Sequence, residues 1–320
     1  MRTLITGICG FVGSHLADYI LENYPDVEIY GLKRWRSPMD NIRHIENKLN
    51  LYDGDLHDLS SMLSMIEKIR PDVVFHLASQ SFVPYSYAVP TDTLTTNVIG
   101  TANLLEAVRI AKIDPIIHIC SSPEVYGQPD EKDIPMTEEC PLRPVSPYAV
   151  GKVGEDMLGH MYYQAYGIKT IISRAFAHEG PRRGEPFAVS WFAKQIVRIE
   201  KGLQQPIVRV GNLNSVRTYM DVRDTVRAYW LLAEKGKSGE AYNIAGSETM
   251  SLSEVLNLLL SMSPVGKRAK AKMDKNLLRP IDVTLQIPDD SKFRQLTGWE
   301  PEIPFRQTLE DVLQYWRERV

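Results

Sequence analysis

MRTLITGICGFVGSH, residues 1–15, decides the fold. The apolar, β-branched run from Thr3 to Thr6 predicts a buried strand, and the apolar spacing that follows predicts a helix. Between the two lie Gly7, Gly10 and Gly13. Glycine lets a phosphate approach the backbone closely, and the first turn of a helix offers free N–H groups to an anion. The spacing is GxxGxxG rather than GxGxxG, so the strand before it and the helix after it are what favour a pyrophosphate site.

Length and composition narrow the class of protein. A chain of 320 residues can bury a large core and suggests about two domains. The formal charge of −3 and the lack of a charged run argue against nucleic acid as a partner. No apolar run approaches the ~18 residues of a membrane span, and the early first strand leaves no room for a leader peptide, so we expect a cytoplasmic protein. The three cysteines lack CxxC spacing and the seven histidines are scattered, so we expect no metal site.

Strand and helix patterns alternate along the first half of the chain. This alternation predicts an α/β fold, a Rossmann-type doubly wound parallel sheet with a smaller C-terminal substrate-binding lobe. We expect residues 1–176 to form the dinucleotide-binding domain and residues 177–320 to form mainly the lobe, with strands able to return from the second half to the sheet. Long helices are predicted at 92–111 and 146–166, and the segment KRAKAK (267–272) is assigned only as a basic stretch.

The loop after the second predicted strand favours NADP over NAD. A pocket for NAD usually places an acidic residue there, to bind the ribose 2′-hydroxyl. This chain instead has Arg34, Arg36 and Ser37, whose charges and hydroxyl suit a 2′-phosphate. A solvated basic loop is the alternative. The third strand is predicted to end at Asp55 and Leu56, where we expect contact with adenine.

Tyr148 and Lys152 are the strongest indication of chemistry. Four residues apart on a predicted helix, their side chains share a face. A tyrosine with the ordinary pKa of ~10 is a poor acid–base catalyst at neutral pH, and an adjacent ammonium favours its phenolate and can hold the nicotinamide ribose. Ser122 and Glu124 follow the fifth predicted strand and reach the same edge of the sheet. A YxxxK pair alone is commonplace on protein surfaces, but together with the glycine loop it indicates hydride transfer.

The chain resembles the extended short-chain dehydrogenase/reductases that act on nucleotide sugars. Within that superfamily it is most similar to the GDP-mannose 4,6-dehydratases and the GDP-4-keto-6-deoxymannose reductases. The motifs that carry the resemblance are RWRSPMDN (34–41), LASQSFVPYS (77–86), SSPEVYG (121–127), HEGPRRGEPF (178–187), FAKQIVRIEKG (192–202), VGNLNSVRTYMDVRD (210–224) and LRPIDV (278–283).

The resemblance implies roles for residues at matching positions. It implies hydride transfer by Ser122, Tyr148 and Lys152, with Glu124 as an additional base. The implied cofactor-binding residues are Gly7, Gly10, Phe11, Val12, Gly13, Arg34, Arg36, Ser37, Asp55, Leu56, Leu77, Ala78, Tyr148 and Lys152. The implied substrate-binding residues are Ser81, Glu124, His178, Arg182, Arg217, Arg279 and Asp282.

Some of these positions have alternatives or depart from the family pattern. Arg182 and Arg183 fall in a loop implicated in contacts with substrate or a neighbouring subunit, and for every arginine a surface salt bridge is the alternative. Ser122 replaces the usual threonine and is followed by Pro123. Ala177 stands where the RxFNxxGP motif has an asparagine, which removes an amide from the substrate site.

The implied activity is an NADP-dependent nucleotide-sugar 4,6-dehydratase that converts GDP-mannose to GDP-4-keto-6-deoxymannose. A GDP-4-keto-6-deoxymannose reductase and a nucleotide-sugar epimerase remain open. A non-catalytic NADP-binding protein is the alternative of another class, but such proteins usually lose the tyrosine or the lysine. The resemblance also implies a homodimer formed by the helices at 92–111 and 146–166, or a homotetramer that adds the loop at 34–43.

Overall fold

The computed structural model describes residues 1–320. The strands are β1 (Arg2–Thr6), β2 (Glu28–Lys33), β3 (Asn50–Asp53), β4 (Val73–His76), β5 (Ile116–Cys120), β6 (Thr170–Ala175), β7 (Ala177–Glu179), β8 (Ile207–Val210), β9 (Val216–Asp221), β10 (Ala241–Ile244), β11 (Glu248–Ser251), β12 (Lys270–Met273) and β13 (Leu285–Gln286). The helices are α1 (Phe11–Asn23), α2 (Leu59–Ile69), α3 (Val83–Ala88), α4 (Pro90–Leu94), α5 (Gly100–Ile110), α6 (Pro147–Tyr166), α7 (Ala188–Glu200), α8 (Val222–Lys235), α9 (Leu252–Ser261), α10 (Ser291–Thr297) and α11 (Phe305–Arg317).

A seven-stranded parallel sheet forms the centre of the molecule. Its strand order is β10-β6-β5-β4-β1-β2-β3. Successive strands run outward from β1 on one side and from β4 on the other, so the order reverses between these two. The reversal leaves a crevice at the carboxyl ends of the strands. The predicted doubly wound fold is confirmed, and β10 returns to the sheet from the second half of the chain.

Helices cover both faces of this sheet. Because side chains of successive strand residues point to opposite faces, each strand contributes to the cores on both sides. Leu4 and Val74 belong to the core under α2, α5 and α6. The adjacent Ile5 and Phe75 belong to the core under α1 and α8. All four side chains are completely buried, which explains the continuous apolar runs in the sequence of these strands.

The second half of the chain also builds a lobe with its own core. Strand β9 pairs with β7, β11 and β13, while β8 pairs with β12. Helices α7, α9 and α11 pack over these strands. The stretch KRAKAK, assigned only as basic from the sequence, contains most of β12. All four residues of this strand are exposed, so no apolar alternation indicated a strand there.

Two boundaries differ from those predicted. The helix expected at 92–111 is divided, because α4 ends at Leu94 and a π-helical segment, Thr95–Ile99, precedes α5. The third strand ends at Asp53 rather than Leu56, since the Asp55 carboxylate accepts the His57 N–H at 3.0 Å and starts a turn. None of the helices combines the length and the apolar character that crossing a lipid bilayer requires.

Candidate active site

The glycine loop joins β1 to α1 at the carboxyl edge of the sheet. Gly7 has a φ of +73°, which favours glycine, and a Cβ at this position would lie 3.0 Å from the backbone of Ala78. A Cβ on Gly13 would lie 2.4 Å from the Gly7 carbonyl oxygen. No side chain caps the first N–H groups of α1. A helix N-terminus with free donors and close backbone access can hold a pyrophosphate. The predicted phosphate-binding residues that lie in this loop or in the first turn of α1 are Gly7, Gly10, Phe11, Val12 and Gly13.

A buried hydrogen-bond network fixes the segment after β4 against this loop. The Thr6 hydroxyl oxygen accepts the N–H groups of Leu77 and Ala78, each at 3.1 Å, and lies 2.9 Å from Nδ1 of His76. His76 Nε2 lies 2.9 Å from the Thr101 hydroxyl, which donates its proton to a backbone carbonyl. The imidazole therefore carries its proton on Nε2, and the Thr6 hydroxyl donates to Nδ1. Burial lowers the pKa of His76 to about 3, so the ring stays neutral.

The basic loop after β2 presents unpaired cations. Arg34 and Arg36 are exposed, and the Ser37 hydroxyl accepts the Arg34 N–H at 3.1 Å. Asp53, at the end of the neighbouring strand, is engaged by Lys33 at 2.5 Å. No free carboxylate therefore stands at the end of β2, and this arrangement suits a 2′-phosphate rather than a 2′-hydroxyl.

Asp55 and Leu56 follow β3 at the carboxyl edge of the sheet. Leu56 is buried and packs against Gly100 of α5, while Asp55 is half-buried and stays accessible. Of the two residues predicted to contact adenine, only Asp55 therefore keeps an accessible side chain.

Helix α6 places Tyr148 and Lys152 on one buried face. The Ser146 hydroxyl caps the first turn by accepting the Ala149 N–H, which sets where the helix starts. Lys152 is 3% exposed, and its Nζ lies 5.9 Å from the centre of the Tyr148 ring. The ammonium donates to the Cys120 carbonyl at 2.6 Å, which ties α6 to the end of β5.

Charge and burial act in opposite directions on Tyr148. Burial raises the pKa of its phenol above the ordinary value, while the Lys152 charge and the nearby Ser122 hydroxyl work to lower it. The phenol is therefore poised beside the groups that stabilise its phenolate, which is what reversible proton transfer to a sugar hydroxyl requires.

Ser122, Pro123 and Glu124 turn the chain at the end of β5. The Ser122 hydroxyl accepts the Glu124 N–H at 3.2 Å and starts a short 3₁₀ turn, in which Pro123 occupies the first position. Proline is favoured there because its missing N–H would have no partner. Glu124 is half-buried, and Gln286 of β13 donates to its Oε1 at 3.3 Å. The turn thus holds a hydroxyl and a carboxylate at the crevice.

The lobe contributes a second cluster of charges facing Glu124. Burial lowers the pKa of the Arg217 guanidinium, with the charges of Glu124 and Asp282 opposing the shift and that of Arg279 adding to it. The Asp282 carboxylate accepts the Asn212 amide at 2.8 Å. Four predicted substrate residues therefore lie in one neighbourhood, and its cations can hold a diphosphate.

The remaining predicted substrate residues do not join this cluster. Arg182 instead forms an ion pair of 2.6 Å with Asp18, which links the loop after β7 to α1. Arg183 lies over the Phe11 ring at 5.2 Å. His178 stacks on that ring at 6.0 Å, which places it beside the glycine loop. Ser81 is exposed on the segment after β4.

Three features of the site are missing from the sequence-based assignment. They are the Thr6–His76–Thr101 network, the Gln286 amide and the Glu155 carboxylate, which accepts a hydrogen bond from Lys152. Glu155 lies three residues after Lys152, so helical spacing could have indicated this contact. Gln286 lies 162 residues from Glu124, and no local signal connects the two.

Known proteins with named activities match the chain over nearly its whole length. A GDP-6-deoxy-D-mannose reductase of Pseudomonas aeruginosa is 31% identical over 100% of this chain and 98% of its own length. GDP-mannose 4,6 dehydratase 1 of Arabidopsis thaliana is 32% identical over 99% of this chain and 91% of its own length. The structure of RMD from Pseudomonas aeruginosa complexed with NADPH superimposes with a TM-score of 0.86 at 29% identity, covering 100% of this chain and 99% of that one.

An epimerase also shares the fold. The structure of a UDP-glucose 4-epimerase from Thermotoga maritima with UDP-glucose gives a TM-score of 0.88 at 28% identity, covering 100% of this chain and 99% of that one. Overall likeness therefore does not separate dehydratase, reductase and epimerase. The family profile described as GDP-mannose 4,6 dehydratase matches residues 4–312, and the chain belongs to this family.

Proposed function

We propose that the protein is an NADP-dependent GDP-mannose 4,6-dehydratase that forms GDP-4-keto-6-deoxymannose. The observation that carries this proposal is the meeting of two sets of groups at one crevice. Tyr148 and Lys152 supply proton transfer beside a dinucleotide cradle. Glu124 supplies a separate carboxylate, and Arg217 and Asp282 lie near it. Loss of water from a sugar needs that second base in addition to the hydride-transfer pair.

The residues present fit NADP. Gly7 and Gly13 leave space that a Cβ would fill, and α1 offers uncapped N–H groups to the pyrophosphate. Arg34 and Arg36 are free to bind the 2′-phosphate. Lys152 donates two hydrogen bonds to protein groups, which leaves its third hydrogen for the nicotinamide ribose. NADP held by these residues would supply the hydride chemistry of the reaction, as the acceptor of hydride from C4 of the sugar and the donor of hydride to C6.

The side chains divide the proton transfers between them. Tyr148, as the phenolate favoured by Lys152, accepts the proton of the C4 hydroxyl, and Ser122 donates a hydrogen bond to the same oxygen. The resulting C4 ketone acidifies the C5 proton, because the carbanion delocalises into the carbonyl. Glu124 removes that proton and delivers a proton to the C6 hydroxyl, which leaves as water. After hydride has reached C6, the enolate takes up a proton at C5, and this proton balances the one that Tyr148 accepted from the C4 hydroxyl.

Incubation with GDP-mannose and NADP⁺, without added NADPH, tests the activity. The expected product is the 4-keto-6-deoxy sugar, identified by mass spectrometry, with no net formation of NADPH. Glu124→Gln should lower turnover at least ~100-fold because the amide cannot accept the C5 proton, while NADPH binding stays unchanged. Glu131→Gln, at an exposed position of the same segment, is the matched control. Full turnover by Glu124→Gln would show that another residue is the base.

A reductase is the second candidate, because the Pseudomonas aeruginosa relative with that name matches the whole chain. A reductase needs only Ser122, Tyr148, Lys152 and external NADPH, with Glu124 ordering the turn. It would leave GDP-mannose untouched and oxidise NADPH only when supplied with GDP-4-keto-6-deoxymannose. The incubation with GDP-mannose and a second one with NADPH and GDP-4-keto-6-deoxymannose therefore decide between the candidates.

We also propose that the protein works as a cytoplasmic homo-oligomer. Apolar side chains on the outer face of α5 and α6 are exposed at Ile110, Val150, Met157 and Met161. Such a stripe on paired helices fits a four-helix contact between two copies. Met157→Glu should halve the mass measured by light scattering. The three cysteines are all free thiols, which fits a reducing compartment.

A further inference from the structure

A buried carboxylate lies beneath the Lys152 ammonium and takes no part in the mechanism above. Glu155 is 1% exposed, and its Oε2 accepts a hydrogen bond of 2.9 Å from Lys152 Nζ. The Cys120 carbonyl accepts a second at 2.6 Å. Two of the three ammonium hydrogens are thus held by fixed acceptors, and only the third remains available to a ligand. Burial of an ionised carboxylate is costly unless the carboxylate is paired with a cation. Lys152 is the cation that forms this pair with Glu155.

The surroundings leave Glu155 as the partner that balances the charge of Lys152. The titratable groups that face the array of Tyr148, Lys152 and Glu155 are Cys120 and His118 of β5, His76 of β4, Tyr229 of α8, and Asp156 of α6, which is paired with Arg174 at 2.7 Å. The Ser79 hydroxyl also lies near the Glu155 carboxyl. Burial lowers the pKa of both histidines to about 3, so neither carries charge near neutral pH. Asp156 is neutralised by its own arginine.

We propose that Glu155 is a positioning residue of the active site, which orients the Lys152 ammonium toward Tyr148 and offsets part of its charge. The proposal deepens the proposed function, because it rests on the assignment of Tyr148 and Lys152 as the pair that handles the C4 proton. It makes the catalytic unit a charge-balanced Tyr–Lys–Glu array rather than a tyrosine beside an isolated cation.

The array has a consequence for the acidity of Tyr148. Burial raises the pKa of Glu155 to about 7, although the Lys152 charge opposes the shift. Burial acts to lower the pKa of Lys152, but Glu155 and Tyr148 raise it above its ordinary value overall. Glu155 is therefore ionised in the alkaline range where Tyr148 titrates, and it lies beside a lysine whose own pKa is raised. Removal of the carboxylate leaves an uncompensated positive charge, which stabilises the phenolate more strongly.

Titration of Tyr148 without substrate tests this inference. The phenolate of Tyr148 is followed as the difference in ultraviolet absorbance between each protein and its Tyr148→Phe counterpart. Glu155→Gln keeps the shape of the side chain and removes its charge. The midpoint for Tyr148 should fall by about one pH unit or more, as expected for loss of one nearby charge. If the protein turns over nucleotide sugar, the acid limb of its pH profile should move in the same direction.

Two further variants separate charge from structure. Glu155→Asp retains the carboxylate and should keep the wild-type midpoint, while Glu155→Ala removes it and should reproduce the shift of the glutamine variant. Glu106 is a carboxylate of α5 that pairs with Arg109 and accepts the Tyr162 hydroxyl. Glu106→Gln is the control, and it should leave the Tyr148 midpoint unchanged, because the effect on Tyr162 is the same in the Tyr148→Phe counterpart and cancels in the difference. A lower melting temperature with an unchanged Tyr148 midpoint in either charge-removing variant would make Glu155 merely structural and overturn the proposal. A shifted midpoint in a protein that turns over no nucleotide sugar would reject the proposed function and leave this inference standing.

Discussion

Thr6→Val should destabilise the protein although it changes only a hydroxyl to a methyl group. The Thr6 hydroxyl serves three partners, His76 Nδ1 and the N–H groups of Leu77 and Ala78. Each buried polar group that loses its partner costs about 1–3 kcal/mol, with the lower values applying where water can reach the group. His76 is 1% exposed, whereas the two backbone groups are half-buried. The expected loss in the free energy of unfolding is therefore about 3 kcal/mol.

The same strand provides the matched control. Thr3 is completely buried, like Thr6, but its hydroxyl has no hydrogen-bond partner. Thr3→Val should thus be neutral or stabilising by up to about 1 kcal/mol, since it removes a buried hydroxyl whose desolvation is not offset by a hydrogen bond. Urea unfolding followed by circular dichroism measures both variants. NADPH binding should weaken only in Thr6→Val, because the Ala78 segment lines the glycine loop. Equal stability of the two variants would refute the hydrogen-bond accounting.

Three other substitutions test separate parts of the site. Gly13→Ala places a methyl group 2.4 Å from a loop carbonyl oxygen and should weaken NADPH binding about 100-fold by fluorescence titration, whereas Gly184→Ala meets only ordinary contacts and should not. Gln286→Leu removes the amide donor of Glu124 and should slow dehydration about tenfold without changing NADPH affinity. His118→Phe tests acid sensitivity: burial lowers the pKa of this histidine to about 3, so only the unfolded chain takes up its proton between pH 6.5 and that value. The wild type should therefore lose about 2 kcal/mol more than the variant in urea unfolding at pH 5 than at pH 7, and parallel losses would contradict the assignment.

The geometry of the candidate dinucleotide site could be predicted from the sequence because its signals are local. Gly7 and Gly13 sit within one strand–loop–helix unit, and Tyr148 and Lys152 lie one helical turn apart. The parallel sheet then brings the ends of β1, β4 and β5 to one edge without further information. The bounds of α6, Pro147–Tyr166, were also close to the predicted 146–166, since apolar periodicity reports which face of a helix is buried.

The parts that could not be predicted depend on contacts between distant segments or lack a pattern. Arg182 meets Asp18 across 164 residues of chain, so its ion pair appears only once the lobe packs on α1. Strand β12 exposes every side chain and is held by hydrogen bonds to β8 alone, which leaves no apolar signature. Glu155 could be placed near Lys152 by spacing, but not its burial, because a glutamate on a helix is ordinarily solvated.

The contrast between local signals and contacts between distant segments explains why the sequence identifies the family, whereas the reaction on the sugar needs an experiment. A dehydratase, a reductase and an epimerase all match this chain over nearly its whole length, so overall likeness does not separate the three activities. The outcome is decided by which groups reach C5 and C6 of the sugar, and these come from the turn at Glu124 and from the lobe. In this chain Ala177 offers no amide to the substrate, whereas Gln286 adds one beside Glu124. Because Gln286 donates to the carboxylate proposed as the second base, substrate choice should respond to Gln286 more than to any residue of the dinucleotide cradle.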